Sequence, residues 1–175
     1  MTVSDLVAQF LAEKECHHAL VVSGAGNIRL LDAIHRLGKT ALVACHSEQS
    51  CCQAAIGYYR CSERIAPVVF TMGGGAGNAV TGIVSAWMDS IPLFLIGGTE
   101  NHYYRPEHGR LRAHGVQSFN LCETVRGITN AAHLMNVHNL ITPIACLTSA
   151  YAQLFENRPG PVVIEIPIDV QGAHA

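Results

Sequence analysis

An acidic residue and a glycine-rich turn, separated by one short apolar segment, are the features of this chain best suited to chemistry. Glu48 stands in the string HSEQSCCQAAIGYYR, directly after an apolar run at residues 41–45. The next apolar run, residues 67–72, leads into the string TMGGGAGN. In parallel α/β sheets, ligands bind in the crevice outside the carboxyl ends of the strands. The position of Glu48 just past a strand is therefore that expected of a ligand-binding residue.

Two interpretations of Glu48 follow from its place at the start of a helix. A carboxyl group that shares a proton with a ligand needs an apolar, water-excluded cleft, which favours its protonated form. The N-terminus of a helix favours the ionised form instead, so a catalytic role requires burial to dominate. In the alternative interpretation, Glu48 is an ordinary acidic residue of the first turn, stabilised by the helix dipole and preceded by Ser47 as the cap.

The glycine-rich turn at residues 73–78 also has more than one interpretation. A turn of this kind can hold a phosphate on the amides of a helix terminus. A P-loop is disfavoured because no Lys-Ser or Lys-Thr follows the glycines, and Asn78 occupies the third glycine position of a dinucleotide motif. A dinucleotide fold also predicts an acidic residue at the end of the second strand, where Cys45 and His46 stand. A tight turn without any ligand is the remaining alternative.

The elements that must position these residues alternate between short apolar runs and helical periodicity. This alternation predicts a doubly wound α/β fold in which a mostly parallel sheet of about six strands carries helices on both faces. We predict strands near residues 19–22, 41–45, 67–72, 93–96, 124–128 and 161–166. We predict helices at residues 28–37, 48–60, 77–88 and 143–155, after a first helix capped by Ser4. The long irregular stretch at residues 99–120 is of the kind that is often functional.

Length and composition favour one compact domain over residues 1–175. Charged residues make up 14% of the chain and apolar residues 49%, whereas about a quarter of a typical soluble domain is charged. A surface so poor in charge is expected to be covered by a partner. The net charge of −2 and the 11 scattered basic residues argue against binding to nucleic acid or to a membrane surface.

The cysteines and the amino terminus indicate the cellular compartment. The chain has seven cysteines and no CxxC pair, so a disulfide framework is not expected and reduced thiols in a cytoplasmic protein are. The first residues form an amphipathic helix with acidic positions rather than a basic and then apolar leader, and no transmembrane span is predicted.

The two motifs and both ends of the chain resemble the pyrimidine-binding domain of thiamine-diphosphate-dependent enzymes. The similarity extends from SDLVAQFLAEKECHHALVVSGAGNIRLLDAI at the start to NRPGPVVIEIPIDVQ at the end. The closest match is to the amino-terminal part of acetolactate synthase large subunits and their decarboxylase and carboligase relatives. The resemblance implies an enzyme that acts on 2-oxo acids, by decarboxylation or by acyl transfer to a second carbonyl, with thiamine diphosphate as its cofactor.

The resemblance also implies roles for particular residues. Glu48 matches the family glutamate that hydrogen-bonds N1′ of the aminopyrimidine ring and activates the cofactor. Gly24, Gly73, Gly75 and Asn78 match positions that bind the cofactor, and at the glycines the lack of a Cβ allows close approach of the backbone. In many relatives a histidine directly precedes the glutamate. Here a serine intervenes and the histidine stands one residue further back.

The segment AHGVQSFN resembles the family segment that borders the substrate space. Phe119 fits the family pattern, and Asn120 replaces its glutamine. Because decarboxylating relatives have histidine proton relays nearby, the resemblance makes His114 a candidate catalytic residue; a solvated loop histidine is the alternative. His102, His108 and His114 do not match a helical metal-binding pair or a finger pattern, so no metal site is predicted in this chain.

The resemblance finally implies a partner subunit. Family members hold Mg²⁺ and the diphosphate through a GDG motif in a further domain, and no GDG occurs in these 175 residues. We therefore expect the chain to be the pyrimidine-binding subunit of a split enzyme, with the Mg²⁺ held by a second subunit in an α2β2 heteromer. The alternative is a non-catalytic binding or regulatory module that retains the fold. The sequence leaves open which 2-oxo acid and which acyl acceptor the enzyme uses.

Overall fold

This chain folds into a parallel sheet that is covered by helices on both faces. The structure, a computed structural model, describes residues 1–104, 112–136 and 142–175. His108 and the central part of the long irregular stretch lie outside the described residues. The strands are β1 (His18–Val21), β2 (Ala41–Ala44), β3 (Val68–Phe70), β4 (Phe94–Thr99), β5 (Ala131–Leu134) and β6 (Val162–Pro167). The helices are α1 (Val3–Glu13), α2 (Ile28–Leu37), α3 (Glu48–Ser62), α4 (Gly74–Asp89), α5 (Leu121–Val125), α6 (Pro143–Gln153) and α7 (Ile168–Gly172).

The strand order is β2-β1-β3-β4-β6-β5, and every pairing between neighbours is parallel. The prediction of a doubly wound, six-stranded α/β fold is therefore confirmed. The chain runs outward from β1 to β2 and then returns to the other side of β1 to form β3. This reversal creates a crevice between the loops that follow β1 and β3, which is where open α/β sheets bind their ligands.

Alternate residues of the strands supply two separate apolar cores. One core packs strand residues such as Ala19 and Val21 against α1, α2, α6 and α7. The other packs Leu20, Val68 and Phe70 against α3, α4 and α5. Burial on both faces explains why the strands are apolar without alternation, which is the pattern that parallel sheets produce.

Helices α3 and α4 lie very close together, because Gly82 offers no side chain to α3. A Cβ added at Gly82 would lie 2.1 Å from the Cβ of Cys52. Cys52 also contacts the α4 backbone, with its Sγ 3.9 Å from the Ala79 carbonyl oxygen. This close approach fixes the spacing of the two helices one turn below Glu48 on α3 and Asn78 on α4.

The predicted strand near residues 124–128 is wrong. Residues 121–125 form α5, residues 126–128 form a 3-10 turn, and the strand lies at 131–134. Asn120 caps α5 by accepting a hydrogen bond from the Glu123 amide, and the Thr124 hydroxyl donates to the Asn120 carbonyl at 2.8 Å. Leu121 and Val125, four residues apart, are both fully buried. Helical spacing of two buried residues therefore outweighs the β-branched composition.

Two helix starts differ from the prediction. Helix α1 is capped by Thr2 in a capping box with Asp5, not by Ser4. The Ser4 hydroxyl is buried and donates to the Gln171 carbonyl oxygen at 3.0 Å. Helix α4 begins at Gly74, three residues before the predicted start, so most of the glycine-rich segment is helical. Within the described residues, no helix is both long and apolar enough to cross a membrane.

Candidate active site

The crevice between the loops after β1 and β3 is closed by contacts between Gly24, Gly26 and Thr71. A Cβ at Gly24 would lie 2.6 Å from Thr71 Oγ1, so only glycine fits there. The Gly26 amide donates to the same hydroxyl oxygen at 3.1 Å. The buried side chain of Asn27 completes the loop, because its Oδ1 accepts from the Gly24 amide and its Nδ2 donates to the Val22 carbonyl. Gly24, a predicted cofactor-binding residue, therefore lies in a hydrogen-bonded loop at the carboxyl edge of the sheet.

Glu48 is the first residue of α3, directly after the cap residue Ser47, whose side chain accepts a hydrogen bond from the Ser50 amide. Only 4% of Glu48 is exposed. Its Oε2 accepts a hydrogen bond of 3.2 Å from Nδ2 of Asn78. Among the described residues, Asn78 is the one hydrogen-bond donor to the Glu48 carboxyl group. The other oxygen, Oε1, accepts no hydrogen bond from these residues.

Gly75 lies against the other oxygen of the same carboxyl group. A Cβ at this position would be 2.6 Å from Glu48 Oε1 and 3.0 Å from Thr71 Cγ2, which is too close for any real side chain. The absence of a side chain at Gly75 thus gives the buried carboxyl group its place. The structure places Glu48 of α3 next to Gly75 and Asn78 of α4. All three residues were singled out from the sequence.

The surroundings of Glu48 on α3 are apolar. Cys51 and Cys52 are both fully buried within the core beneath it. Burial raises the pKa of the Cys52 thiol to about 12, and it also raises the pKa of the Cys51 thiol. These groups therefore stay neutral at physiological pH, and they bring no compensating positive charge to the carboxyl group.

A short hairpin at residues 114–118 packs against the glycine-rich turn. His114 and Ser118 form an antiparallel bridge with two hydrogen bonds of 2.7 and 3.0 Å. Gly73 has a φ of 69°, and a Cβ there would lie 2.6 Å from the Gln117 carbonyl oxygen. Both the backbone conformation and the close contact require glycine at this position. Gly73 is therefore the point where the hairpin meets the turn.

The sheet anchors the same hairpin from below. The Ser118 hydroxyl lies 2.6 Å from the Thr99 hydroxyl, and both side chains are buried. Glu100, only 8% exposed, accepts a hydrogen bond from the Val116 amide at 3.1 Å. Gly115 has a φ of 58°, and a Cβ there would lie 2.6 Å from Glu100 Cδ. The end of β4 thus sets the position of the hairpin.

The three residues predicted at the substrate side have different surroundings. His114 is half-buried, and its backbone pairs with Ser118 in the hairpin, which contacts Gly73 through Gln117. Phe119 is half-buried and packs against the core beneath α3 and α4. Asn120 is exposed, and its side-chain oxygen is engaged in capping α5.

Sequence reasoning missed Thr71, Asn27 and Glu100. Thr71 lies two residues before the glycine run, and its hydroxyl is a contact between the two loops of the crevice. The pattern Gly-x-Gly-Asn after the first strand and the single threonine before the glycines were the available signals. Across residues 1–104, 112–136 and 142–175, no three His, Cys, Asp or Glu side chains are grouped closely enough to hold a metal ion.

Comparison with known proteins identifies the family of this chain. Residues 1–122 match the model of the thiamine pyrophosphate enzyme family, N-terminal TPP binding domain. The chain belongs to this family. Thiamine pyrophosphate is another name for thiamine diphosphate, and the matched range includes Glu48 and the glycine-rich turn as well as the hairpin. The resemblance stated from the sequence motifs is thereby confirmed.

The chain is also similar to several acetolactate synthase large subunits. The chain is 30% identical to the acetolactate synthase large subunit of Haemophilus influenzae over 168 residues, and 34% identical to that of Lactococcus lactis subsp. lactis over 169 residues. It is 28% identical to the acetolactate synthase isozyme 3 large subunit of Escherichia coli over 170 residues. Each alignment covers 95% of this chain and 28% of the relative. The chain thus spans less than a third of the length of these relatives.

The residues present suit the pyrimidine half of the family cofactor. A buried carboxyl group with one oxygen held by Asn78 provides a hydrogen-bonding partner for a ring nitrogen. The bare backbone at Gly75 leaves the region next to the carboxyl group free of a side chain. The sequence contains no GDG motif for the diphosphate and its metal. The fit is therefore to the aminopyrimidine ring.

Proposed function

We propose that residues 1–175 form one pyrimidine-binding domain of a thiamine-diphosphate-dependent enzyme that acts on 2-oxo acids. Its reaction is decarboxylation, transfer of the resulting acyl unit to a second carbonyl, or both, as in an acetolactate synthase. The observation that carries the proposal is the buried carboxyl group of Glu48 at the carboxyl edge of the sheet, held by Asn78 and seated against Gly75.

Glu48 is the proposed catalytic residue. Asn78 fixes Oε2, which leaves Oε1 to hydrogen-bond N1′ of the aminopyrimidine ring. The apolar surroundings exclude water, so the proton of that hydrogen bond is shared between carboxyl group and ring rather than lost to solvent. When bound, thiamine diphosphate supplies the electron sink that loss of CO₂ from a 2-oxo acid requires.

Gly24, Gly73 and Gly75 are proposed to contact the cofactor through their backbones. Each already accommodates a close neighbour within the chain, namely Thr71, Gln117 and Glu48 respectively. Their first role is therefore to build the crevice, and the proposed contact with the cofactor comes in addition. Any side chain at these positions displaces a residue of the site before a ligand is involved.

His114, Phe119 and Asn120 are proposed to border the substrate. The hairpin position of His114 supports a role as proton relay, because two backbone hydrogen bonds to Ser118 hold its backbone in place. Replacement of His114 by alanine should slow protonation of the product about 10²- to 10⁴-fold while decarboxylation changes less. Rapid-quench measurement of both steps separates them. Unchanged rates and an unchanged product ratio would make His114 a solvated loop residue.

The Mg²⁺ and the diphosphate are proposed to be held by a second subunit, in an α2β2 heteromer. The exposed apolar residues Val84 and Met88 support a partner, since they leave apolar surface on α4, the helix that carries Asn78. Residues 1–175 alone should therefore bind thiamine diphosphate weakly, and addition of the partner should produce cofactor affinity and pyruvate consumption together.

Calorimetry of the chain with and without its partner tests this arrangement. Tight magnesium-dependent binding of the cofactor to the isolated chain would contradict the split enzyme. Affinity without turnover in the complex would favour the alternative of a binding or regulatory module that retains the fold.

A further inference from the structure

Thr71 directly follows β3 at the carboxyl edge of the sheet and is half-buried between the glycines of the two loops that form the crevice. A threonine side chain carries a hydroxyl group and a methyl group on the same carbon, and this branching makes its rotation stiff. A contact that fixes one of the two groups therefore fixes the other as well. In this site the two groups have different neighbours, so their roles can be separated.

The hydroxyl group of Thr71 is held by the loop that follows β1. Its oxygen accepts a hydrogen bond of 3.1 Å from the amide of Gly26, which is buried. A Cβ at Gly24 would lie 2.6 Å from this oxygen and 2.7 Å from the methyl carbon of Thr71. The backbone at Gly24 therefore packs against both groups. Rotation of the side chain would break the hydrogen bond to Gly26, so one rotamer is strongly favoured.

The methyl group of Thr71 lies beside the carboxyl group of Glu48. A Cβ at Gly75 would be 3.0 Å from the Thr71 methyl carbon and 2.6 Å from Glu48 Oε1. The methyl group and the carboxyl oxygen thus share the space over the bare backbone of Gly75. The other oxygen of Glu48, Oε2, accepts the hydrogen bond from Asn78. The carboxyl group is therefore held by a hydrogen bond at one oxygen and by packing at the other.

We propose that Thr71 is a positioning residue for Glu48, a role that rests on the proposed function of Glu48 in activating the cofactor. The Gly26 amide fixes the Thr71 hydroxyl group, and the stiff side chain thereby fixes the methyl group. The methyl group limits the movement of Glu48 Oε1, which is the oxygen proposed to bond N1′ of the aminopyrimidine ring. Thr71 acts through Glu48 and not on the cofactor itself.

Two variants separate the methyl group from the hydroxyl group. Thr71→Ser keeps the hydroxyl acceptor and removes the methyl group, whereas Thr71→Val keeps the methyl group and the shape but removes the acceptor. Because Thr71→Val leaves the buried Gly26 amide without its partner, it should lower the melting temperature of the chain by at least about 2 °C. Thr71→Ser should lower it less. If Thr71 positions Glu48, the effects on Glu48 follow the opposite order.

NMR of the ¹⁵N-labelled chain reports the position of Glu48 without a cofactor or a partner. The side-chain amide of Asn78 donates to Glu48 Oε2, so its signal changes when the carboxyl group moves. Thr71→Ser should shift this signal toward that of a solvated amide, and Thr71→Val should leave it at the wild-type position. Thr142→Ser is the matched control, because the Thr142 hydroxyl oxygen also accepts from a backbone amide, that of Ala145, at an exposed site on α6. It should leave the Asn78 signal unchanged.

Hydrogen–deuterium exchange at C2 of thiamine diphosphate measures the consequence in the assembled enzyme. At saturating cofactor, exchange in Thr71→Ser should be at least about tenfold slower than in the wild type, since a displacement of about 1 Å in a catalytic group costs about 10²-fold in rate. Thr71→Val should exchange at a rate close to that of the wild type, although it is the less stable variant. A purely structural role of Thr71 predicts the larger loss in Thr71→Val.

The proposal is overturned if the Asn78 signal does not move in Thr71→Ser, or if exchange falls as much in Thr71→Val as in Thr71→Ser. Glu48→Gln, measured beside them, separates this proposal from the proposed function. Slow exchange in Glu48→Gln with wild-type exchange in Thr71→Ser would remove the role of Thr71 and leave the proposed function intact. Wild-type exchange in Glu48→Gln would overturn the proposed function, and the role of Thr71 with it.

Discussion

Replacement of Glu48 by glutamine should lower turnover of the assembled enzyme about 10²- to 10⁴-fold. Glutamine has the volume of glutamate but offers its ring partner no acid proton to share. Its side-chain oxygen can still accept the hydrogen bond from Asn78 that Glu48 Oε2 now accepts. Loss of activity should therefore come without loss of structure, and circular dichroism and the melting temperature should stay close to those of the wild type.

A glutamate elsewhere on the surface supplies the control for this variant. Glu156 is exposed and lies in the turn after α6. Glu156→Gln makes the same chemical change away from the crevice, and it should keep wild-type consumption of the 2-oxo acid. Equal activity of Glu48→Gln and Glu156→Gln would remove Glu48 from the catalytic role.

Addition of a single methyl group at Gly75 should also lower turnover of the assembled enzyme. In Gly75→Ala the added Cβ would lie 2.6 Å from Glu48 Oε1, so the carboxyl group or the turn must move. A displacement of about 1 Å in a catalytic group costs about 10²-fold in rate. We expect a loss of this size in turnover, together with weaker binding of the cofactor by the assembled enzyme.

Gly77→Ala, two residues further along the same helix, is the matched control. No atom lies within 4 Å of a Cβ at Gly77, and alanine is a better helix former than glycine by about 1 kcal/mol. This variant should keep wild-type turnover and gain slightly in melting temperature. If both variants retain full activity, Gly75 does not hold Glu48 in its working position.

The sequence predicted most of the framework correctly because parallel sheets leave a strong local signal. Helix α2 has the predicted bounds of residues 28–37, and five of the six strands lie where apolar runs predicted them. The failure at residues 124–128 arose where the local composition was ambiguous. There the choice between helix and strand was settled by the burial of Leu121 and Val125 and by the cap at Asn120.

The candidate site was predictable as a set of residues but not as an arrangement. Glu48 and Asn78 are 30 residues apart, and their hydrogen bond depends on the close packing of α3 and α4 at Gly82. No periodicity in either helix specifies that distance. The hairpin at residues 114–118 was likewise hidden, because it is held by Glu100 and Thr99 through tertiary contacts.

The central claim is that Glu48 activates the bound cofactor, and hydrogen–deuterium exchange at C2 of thiamine diphosphate tests it most directly. The measurement uses the assembled enzyme with Mg²⁺, compares wild type with Glu48→Gln at saturating cofactor, and needs no substrate. We predict fast exchange in the wild type and exchange close to that of free thiamine diphosphate in the variant. Exchange at the wild-type rate in Glu48→Gln would contradict the account.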